Sequence, residues 1–249
     1  MCNLGHRLGR ARLHATAAHA AYELEFGRDA DELFYTMELL EGADLGARVP
    51  LPWQVTCAHL RDACQALSVL HARRLVHRDV SPRNLWRTPD GRVKLLDFGA
   101  LAPFGPSEVV IGTPPLVPPE AVHRLALTER SDLYSLGALA YFLLTGRHAF
   151  PTQDVRQLPQ LWAHTPSPPS AHLSAAAHPD LDAIPADLGR LVLALLHPDD
   201  LARPSSAAEV IDRIDTLLGS TGEHEPEAAE SRLRNVGFVG RSRSYSADH

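Results

Sequence analysis

Apolar positions along the chain fall into a few clear rhythms. In residues 53–75, WQVTCAHLRDACQALSVLHARRL, Leu60, Cys64, Leu67 and Leu70 recur at steps of three and four. That spacing predicts an amphipathic helix with one buried stripe. Residues 131–146, SDLYSLGALAYFLLTG, are apolar almost all round, which predicts a helix buried on every side and stopped at Gly146. Alternation takes over elsewhere. Residues 20–42 read as two strands about a turn at 27–31, and residues 85–98 as two short strands about Asp90-Gly91. PADLGRLVLALL and SSAAEVIDRIDTLL predict two further short helices. Residues 158–180 are rich in Pro, Ser and Ala and read mostly as loop. From Gly219 onward large apolar residues thin out and charges accumulate, so residues 219–249 are expected to be a disordered tail.

Composition narrows the class. A chain of 249 residues can bury one large core or two lobes. Its net charge of −6 leaves no basic excess to neutralise phosphates, which argues against a nucleic-acid binder. Of 24 basic side chains only Lys94 is lysine; the rest are arginine. Three cysteines make neither a disulfide framework nor a zinc site, and Cys57 and Cys64, seven apart on a predicted helix, read as buried thiols. The first 22 residues carry Arg7, Arg10 and Arg12 but no apolar run of the signal-peptide kind. The longest apolar stretch, residues 133–144, is too short to span a bilayer, so no membrane segment and a cytoplasmic location are expected.

The polar positions that remain suggest chemistry. HRDVSPRN at 77–84 and DFG at 97–99 set one carboxylate, one amide and a second carboxylate close to one another in sequence. Phosphoryl transfer needs a carboxylate to orient an attacking hydroxyl, oxygen ligands for magnesium, and a cation near the transferring group. Around these lie FYTMELLEG at 34–42, GTPPLVPPE at 112–120, SDLYSLG at 131–137 and ARPSS at 202–206. Together, in this order, they resemble the eukaryotic-type protein kinase family in its bacterial Ser/Thr branch.

The resemblance spans residues 20–217 and implies an α+β, protein-kinase-like fold: a mostly helical C-lobe with an incomplete, β-rich N-lobe. It divides the chain into an N-lobe remnant at 1–40, a C-lobe at 41–218 and the tail at 219–249. It implies ATP and Mg²⁺ as cofactors and a protein as substrate. Asp79 would orient the substrate hydroxyl, and Asn84 and Asp97 would hold the metal. Met37 would be the gatekeeper, and the backbone at Glu38 and Leu40 would pair with adenine. Thr113 would contact Asp79, as in the Ser/Thr branch, although Leu116 stands where an aromatic is usual. Asp132 would sit under the catalytic loop, and Arg203 would pair with Glu120. Ser81 replaces the lysine that the Ser/Thr branch carries two residues after the Asp. Arg83, placed as in the tyrosine kinase loop HRDLAARN, is the candidate substitute cation, since its fork suits phosphate oxygens. Ser107, in the segment 97–120, is the candidate phosphorylation switch facing Arg78.

Other kinase parts are missing from the sequence. No G-x-G-x-x-G and no acid occur before Glu23, and no lysine before Lys94. Three strands and a helix would need at least ~40 residues ahead of the first hairpin, and about twenty are present. Two readings therefore stay open: a truncated kinase with little activity alone, or a half-kinase serving as a binding or regulatory module. Either way, a partner or an upstream segment is expected to cover residues 20–40.

Overall fold

A computed structural model describes residues 39–172 and 181–219 in full, and residues 23–29 and 32–37 as backbone. Strands β1 (Glu23–Asp29) and β2 (Glu32–Met37) form an antiparallel hairpin. Gly27 lies inside β1, paired with Phe34, so the turn is shorter than the expected 27–31. Glycine tolerates extended backbone as well as a turn, and the strand ladder overrides its turn preference here.

After β3 (Ala43–Asp44) comes α1 (Trp53–His71), which carries the predicted stripe: Leu60, Cys64, Leu67 and Leu70 are all buried. Next follow β4 (Leu75–Val76), β5 (Leu85–Arg87), β6 (Val93–Leu95), β7 (Ala102–Pro103) and β8 (Gly105–Pro106). Strands β5 and β6 are the predicted pair about Asp90-Gly91, and β3 joins them on the far side of β5. Strand β4 pairs with β7, and β8 with β9 (Ala126–Leu127). The remaining helices are α2 (Pro119–Val122), α3 (Glu129–Thr145), α4 (Leu158–Leu161), α5 (Ala186–Leu195) and α6 (Ala207–Leu217).

Helix α3 is the centre of the core. Of its residues, Leu133, Leu136, Leu139, Leu143 and Leu144 are fully buried. Each such side chain contributes roughly 1.5–3 kcal/mol of burial. The helix starts two residues before the predicted point, because Thr128 caps it and Ser131 returns the bond to the Thr128 amide. It ends as predicted, with Gly146 left-handed at φ 69°. Gly137 lets α5 approach: a Cβ there would lie 2.5 Å from the Leu195 Cβ. Helices α1 and α6 pack together, tied at the rim by Arg61 Nε to Asp215 Oδ1 at 2.8 Å. Cys57 and Cys64 are buried, and burial pushes the Cys57 thiol up to about 12 and Cys64 further. The mixed helix-and-strand architecture is α+β, as expected. No helix among the described residues is long and apolar enough to cross a membrane.

Candidate active site

The loop between β4 and β5 is held from below by α3. The buried Asp132 carboxylate accepts from the His77 amide through Oδ2 and from the Arg78 amide through Oδ1, both at 2.9 Å. His71 Nε2, at the end of α1, also lies 2.9 Å from Oδ2. One side chain thus fixes the end of α1 and two successive amides of the loop. That support matters because Arg78 is strained, with φ at 71°. A non-glycine residue there costs on the order of 1–3 kcal/mol and persists only when its surroundings over-determine it.

His77 points inward and links the loop to the strand that leads to Asp97. Its Nε2 lies 3.0 Å from the Leu96 carbonyl, and its Nδ1 accepts from the Asp79 amide at 3.4 Å. A carbonyl at Nε2 requires the N–H there, which leaves Nδ1 as the acceptor: a neutral ring. Burial also pushes the His77 pKa below its ordinary value, partly opposed by Asp132. The Phe98 ring packs edge-on against His77 with centroids 5.6 Å apart.

Asp79 is the most constrained side chain of the loop's open face. Its Oδ1 accepts from the Thr113 amide at 3.1 Å and the Thr113 hydroxyl at 3.0 Å. Its Oδ2 accepts from Asn84 Nδ2 at 2.9 Å. A carboxylate has about four acceptor positions, so one remains on Oδ2 for an incoming hydroxyl. Gly112 makes the Thr113 approach feasible. Its φ is 123°, and a Cβ there would meet the Arg78 carbonyl at 2.8 Å.

Asn84 spends its amide nitrogen on Asp79, bonding both the side chain and the backbone carbonyl, each at 2.9 Å. Its Oδ1 accepts no hydrogen bond from the described residues. The β5–β6 ladder brings Asp97 beside it, since the Leu96 amide donates to the Asn84 carbonyl at 2.8 Å. Asp97 is exposed and left-handed at φ 60°, and its Oδ1 takes the Gly99 amide at 3.2 Å. One carboxylate and one amide oxygen suit Mg²⁺, which takes few protein ligands and is completed by phosphate oxygens and water. Among the described residues no three His, Cys, Asp or Glu side chains gather into a metal site of their own.

Comparisons with known proteins show the family. Residues 21–213 match the family model described as protein kinase domain. The chain belongs to the protein kinase family. It is 40% identical over 149 residues to the serine/threonine-protein kinase PknL of Mycobacterium tuberculosis, covering 56% of this chain and 37% of that protein. It is 35% identical over 207 residues to PknB of the same species, covering 78% of this chain and 31% of that protein. The chain therefore spans only about a third of the length of these curated kinases. Among solved structures, the Cydia pomonella granulovirus kinase PK-1 superposes with a TM-score of 0.68 at 19% identity, over 78% of this chain and 74% of that one. That likeness speaks to the kinase fold alone.

Asp79, Asn84, Asp97 and Thr113 thus gather at one place in the kinase fold. Arg83 lies on the same loop, exposed, and no described residue bonds its guanidinium. Ser81 is buried, at 2% exposure. Met37 ends β2, where only backbone is described; Glu38 lies outside the described residues, and Leu40 is half-buried at the start of the fully described part. Lys94 is half-buried on β6 opposite Trp86. The Arg203–Glu120 pair is bidentate and buried, with oxygens 2.7 and 2.9 Å from the guanidinium. Arg78 donates from Nε to the Ala100 carbonyl at 2.7 Å and from Nη1 to the Ser107 hydroxyl at 3.1 Å. Sequence reasoning missed the parts of His71 and Gly112. Both depend on contacts far apart in sequence, and no local signal marks them.

Proposed function

We propose that this kinase chain transfers the γ-phosphoryl group of ATP to a serine or threonine hydroxyl of a protein substrate. Asp79 orients the hydroxyl and takes up its proton. Asn84 and Asp97 hold magnesium, which offsets phosphate charge. Arg83 supplies the cation that Ser81 does not, and Thr113 fixes Asp79 and borders the acceptor. Adenine sits against the backbone at Glu38 and Leu40, with Met37 behind it. The working division is 1–40, 41–218 and 219–249, and the setting is the cytoplasm, where ATP is abundant. The single observation that carries the reading is the Asp79 carboxylate, held by Thr113 and Asn84 with one acceptor position left open. A residue kept only for shape would need no such arrangement.

The 249 residues contain no G-x-G-x-x-G and no lysine but Lys94. Positioning and electrostatics supply nearly all the catalysis of phosphoryl transfer, so the chain alone should turn over slowly. That absence also favours a second reading, a non-catalytic binding module. Radiolabelled ATP with magnesium and a generic basic protein separates the two. Low incorporation that vanishes in Asp79→Asn supports the kinase; incorporation indistinguishable between the two proteins supports the module.

A further inference from the structure

We propose that Phe142 and its stacked partner His148 form an apolar subsite for the protein substrate. It receives an aromatic or aliphatic residue within about four positions of the acceptor hydroxyl and disfavours a basic residue there. The proposal rests on the phosphoryl-transfer reading above and adds the local chemistry of the substrate.

Helix α3 marks the place. Every residue from Ser131 to Tyr141 and from Leu143 to Thr145 is buried, and Phe142 between them is only half-buried. The bare part of a large ring is apolar surface that an arriving side chain can cover. The His148 ring lies face to face with it, centroids 4.7 Å apart and planes 11° from parallel. His148 Nδ1 is buried and makes no hydrogen bond to the described residues. Burial also lowers the His148 pKa, so the stack is uncharged at neutral pH. Residues 49–51 bring more apolar surface to the same end of α3. The Leu51 amide donates to the Leu143 carbonyl at 2.7 Å, and a Cβ on Gly146 would lie 3.6 Å from the Pro50 Cδ. Val49 and Leu51 are half-buried, like Phe142.

This surface continues the candidate active site. A Cβ on Gly46 would lie 3.4 Å from the Cβ of Pro82, in the loop that carries Asp79 and Asn84. From Gly46 to Val49 is three residues, at most about 11 Å of chain. A substrate with its hydroxyl at Asp79 runs on at about 3.3 Å per residue, so three or four residues of extended chain cross that span. Charge points the same way. Residues 45–52 and 141–150 contain no acid, and they contribute Arg48 and Arg147, both exposed. Asp44, just before them, spends Oδ1 on the Gly46 amide at 2.8 Å. A basic residue arriving here finds two arginines and no carboxylate on these two segments, whereas an apolar one finds ring faces.

Peptides test this. Labelled peptides carry a central serine in an alanine and glycine background, with one Phe, Arg or Glu at each position from five before to five after it. Fluorescence anisotropy with the full 249-residue chain reads binding. Radiolabelled ATP with magnesium reads transfer to the same peptides. At one position Phe should bind about five- to tenfold tighter than Arg, as for one part-buried aromatic contact. Phe142→Glu should reverse that order at the same position, a gain for Arg that a misfolded protein cannot show. His148→Ala should shrink the Phe preference to about twofold or less. No positional preference for Phe in the parent, a preference for Arg, or the parent's order kept in Phe142→Glu would each overturn the subsite. Incorporation that depends on Asp79 but ignores the position of Phe would leave the kinase reading standing and overturn the subsite alone. A Phe preference that follows Phe142 without any Asp79-dependent incorporation would uphold the peptide site and overturn the kinase reading.

Discussion

Replacing Arg203 with alanine should cost this kinase a large part of its stability, and the structure says why. All five guanidinium N–H groups are used. Nε donates to the His197 carbonyl at 2.7 Å. Nη1 donates to Glu120 Oε1 at 2.7 Å and to the Arg130 carbonyl at 2.9 Å. Nη2 donates to Glu120 Oε2 at 2.9 Å and to the Pro198 carbonyl at 3.2 Å. The Tyr134 ring lies beneath, 4.9 Å from the guanidinium carbon. Both partners are buried, Arg203 at 3% and Glu120 at 5% exposure. Removing the arginine leaves a buried carboxylate without its counter-charge, a change that costs about 3–5 kcal/mol. Against a total of roughly 5–15 kcal/mol, that is severe. With a urea m-value near 2–3 kcal/mol/M, the midpoint should fall by about 1–2 M. Arg203→Lys should lie between, because an ammonium keeps the charge but not the fork. Arg203→Met with Glu120→Leu should cost less than Arg203→Ala, since no unpaired charge remains. The double-mutant cycle should therefore show coupling of 1 kcal/mol or more. Urea titrations followed by far-UV circular dichroism provide the measurement. A midpoint for Arg203→Ala within 0.2 M of the parent, or strictly additive single and double variants, would refute the reasoning.

Four further outcomes follow from the site and the core. Arg83→Ala should lower phosphoryl transfer by about 10–100-fold, as for a charged contact of about 1.5–3 kcal/mol, in a steady-state assay normalised to the parent; an unchanged rate would make Arg83 a bystander. Thr113→Val should slow the same reaction while leaving Mg·ADP binding intact, because it removes the hydroxyl bond to Asp79 Oδ1 but keeps the amide bond. A phosphate on Ser107 would land on the Arg78 guanidinium, so phosphorylated protein should resist proteolysis in the segment 97–120, and Arg78→Ala should abolish the gain. Stability should hold above pH about 6.5 and fall as pH drops below it: burial lowers the pKa values of His59, His77 and His148, so the unfolded chain takes up protons first. Thermal melts from pH 5 to 8 would show it.

The long periodic elements and the motifs of the family were legible in the sequence. Helices α1, α3, α5 and α6 carry apolar patterns long enough to reveal one buried side or a wholly buried cylinder. Asp79, Asn84 and Asp97 stood out because carboxylates and amides so close to one another have a chemical use. The two-residue strands β3, β4, β7, β8 and β9 were not legible, because a two-residue strand has no period. They exist only because partners distant in sequence meet, as Leu75 meets Pro103. The start of α3 was misplaced for a related reason: its cap is completed by Ser131, not by the Glu or Gln that marks the usual signature.

The same division runs through the site. The residues proposed to do the chemistry lie within a stretch of about twenty positions, but the groups that aim them come from elsewhere. Asp132, 55 positions after His77, fixes the loop, and Thr113, 34 positions after Asp79, fixes the carboxylate. Neither bond could form unless α3 lay under the loop with Asp132 buried and position 112 lacked a Cβ, which would meet the Arg78 carbonyl at 2.8 Å. The core and the site are therefore not separable in energy. A substitution that lets α3 shift by a fraction of an ångström loosens the Asp132 bonds, relaxes the strained Arg78 and frees the Asp79 carboxylate to rotate. Activity should consequently be lost before the fold is. In Gly137→Ala, where the new methyl meets the Leu195 Cβ at 2.5 Å, kinase turnover should fall more steeply than the melting temperature. A Gly137→Ala protein that melts several degrees lower but turns over at the parent rate would show that the loop keeps its geometry without α3.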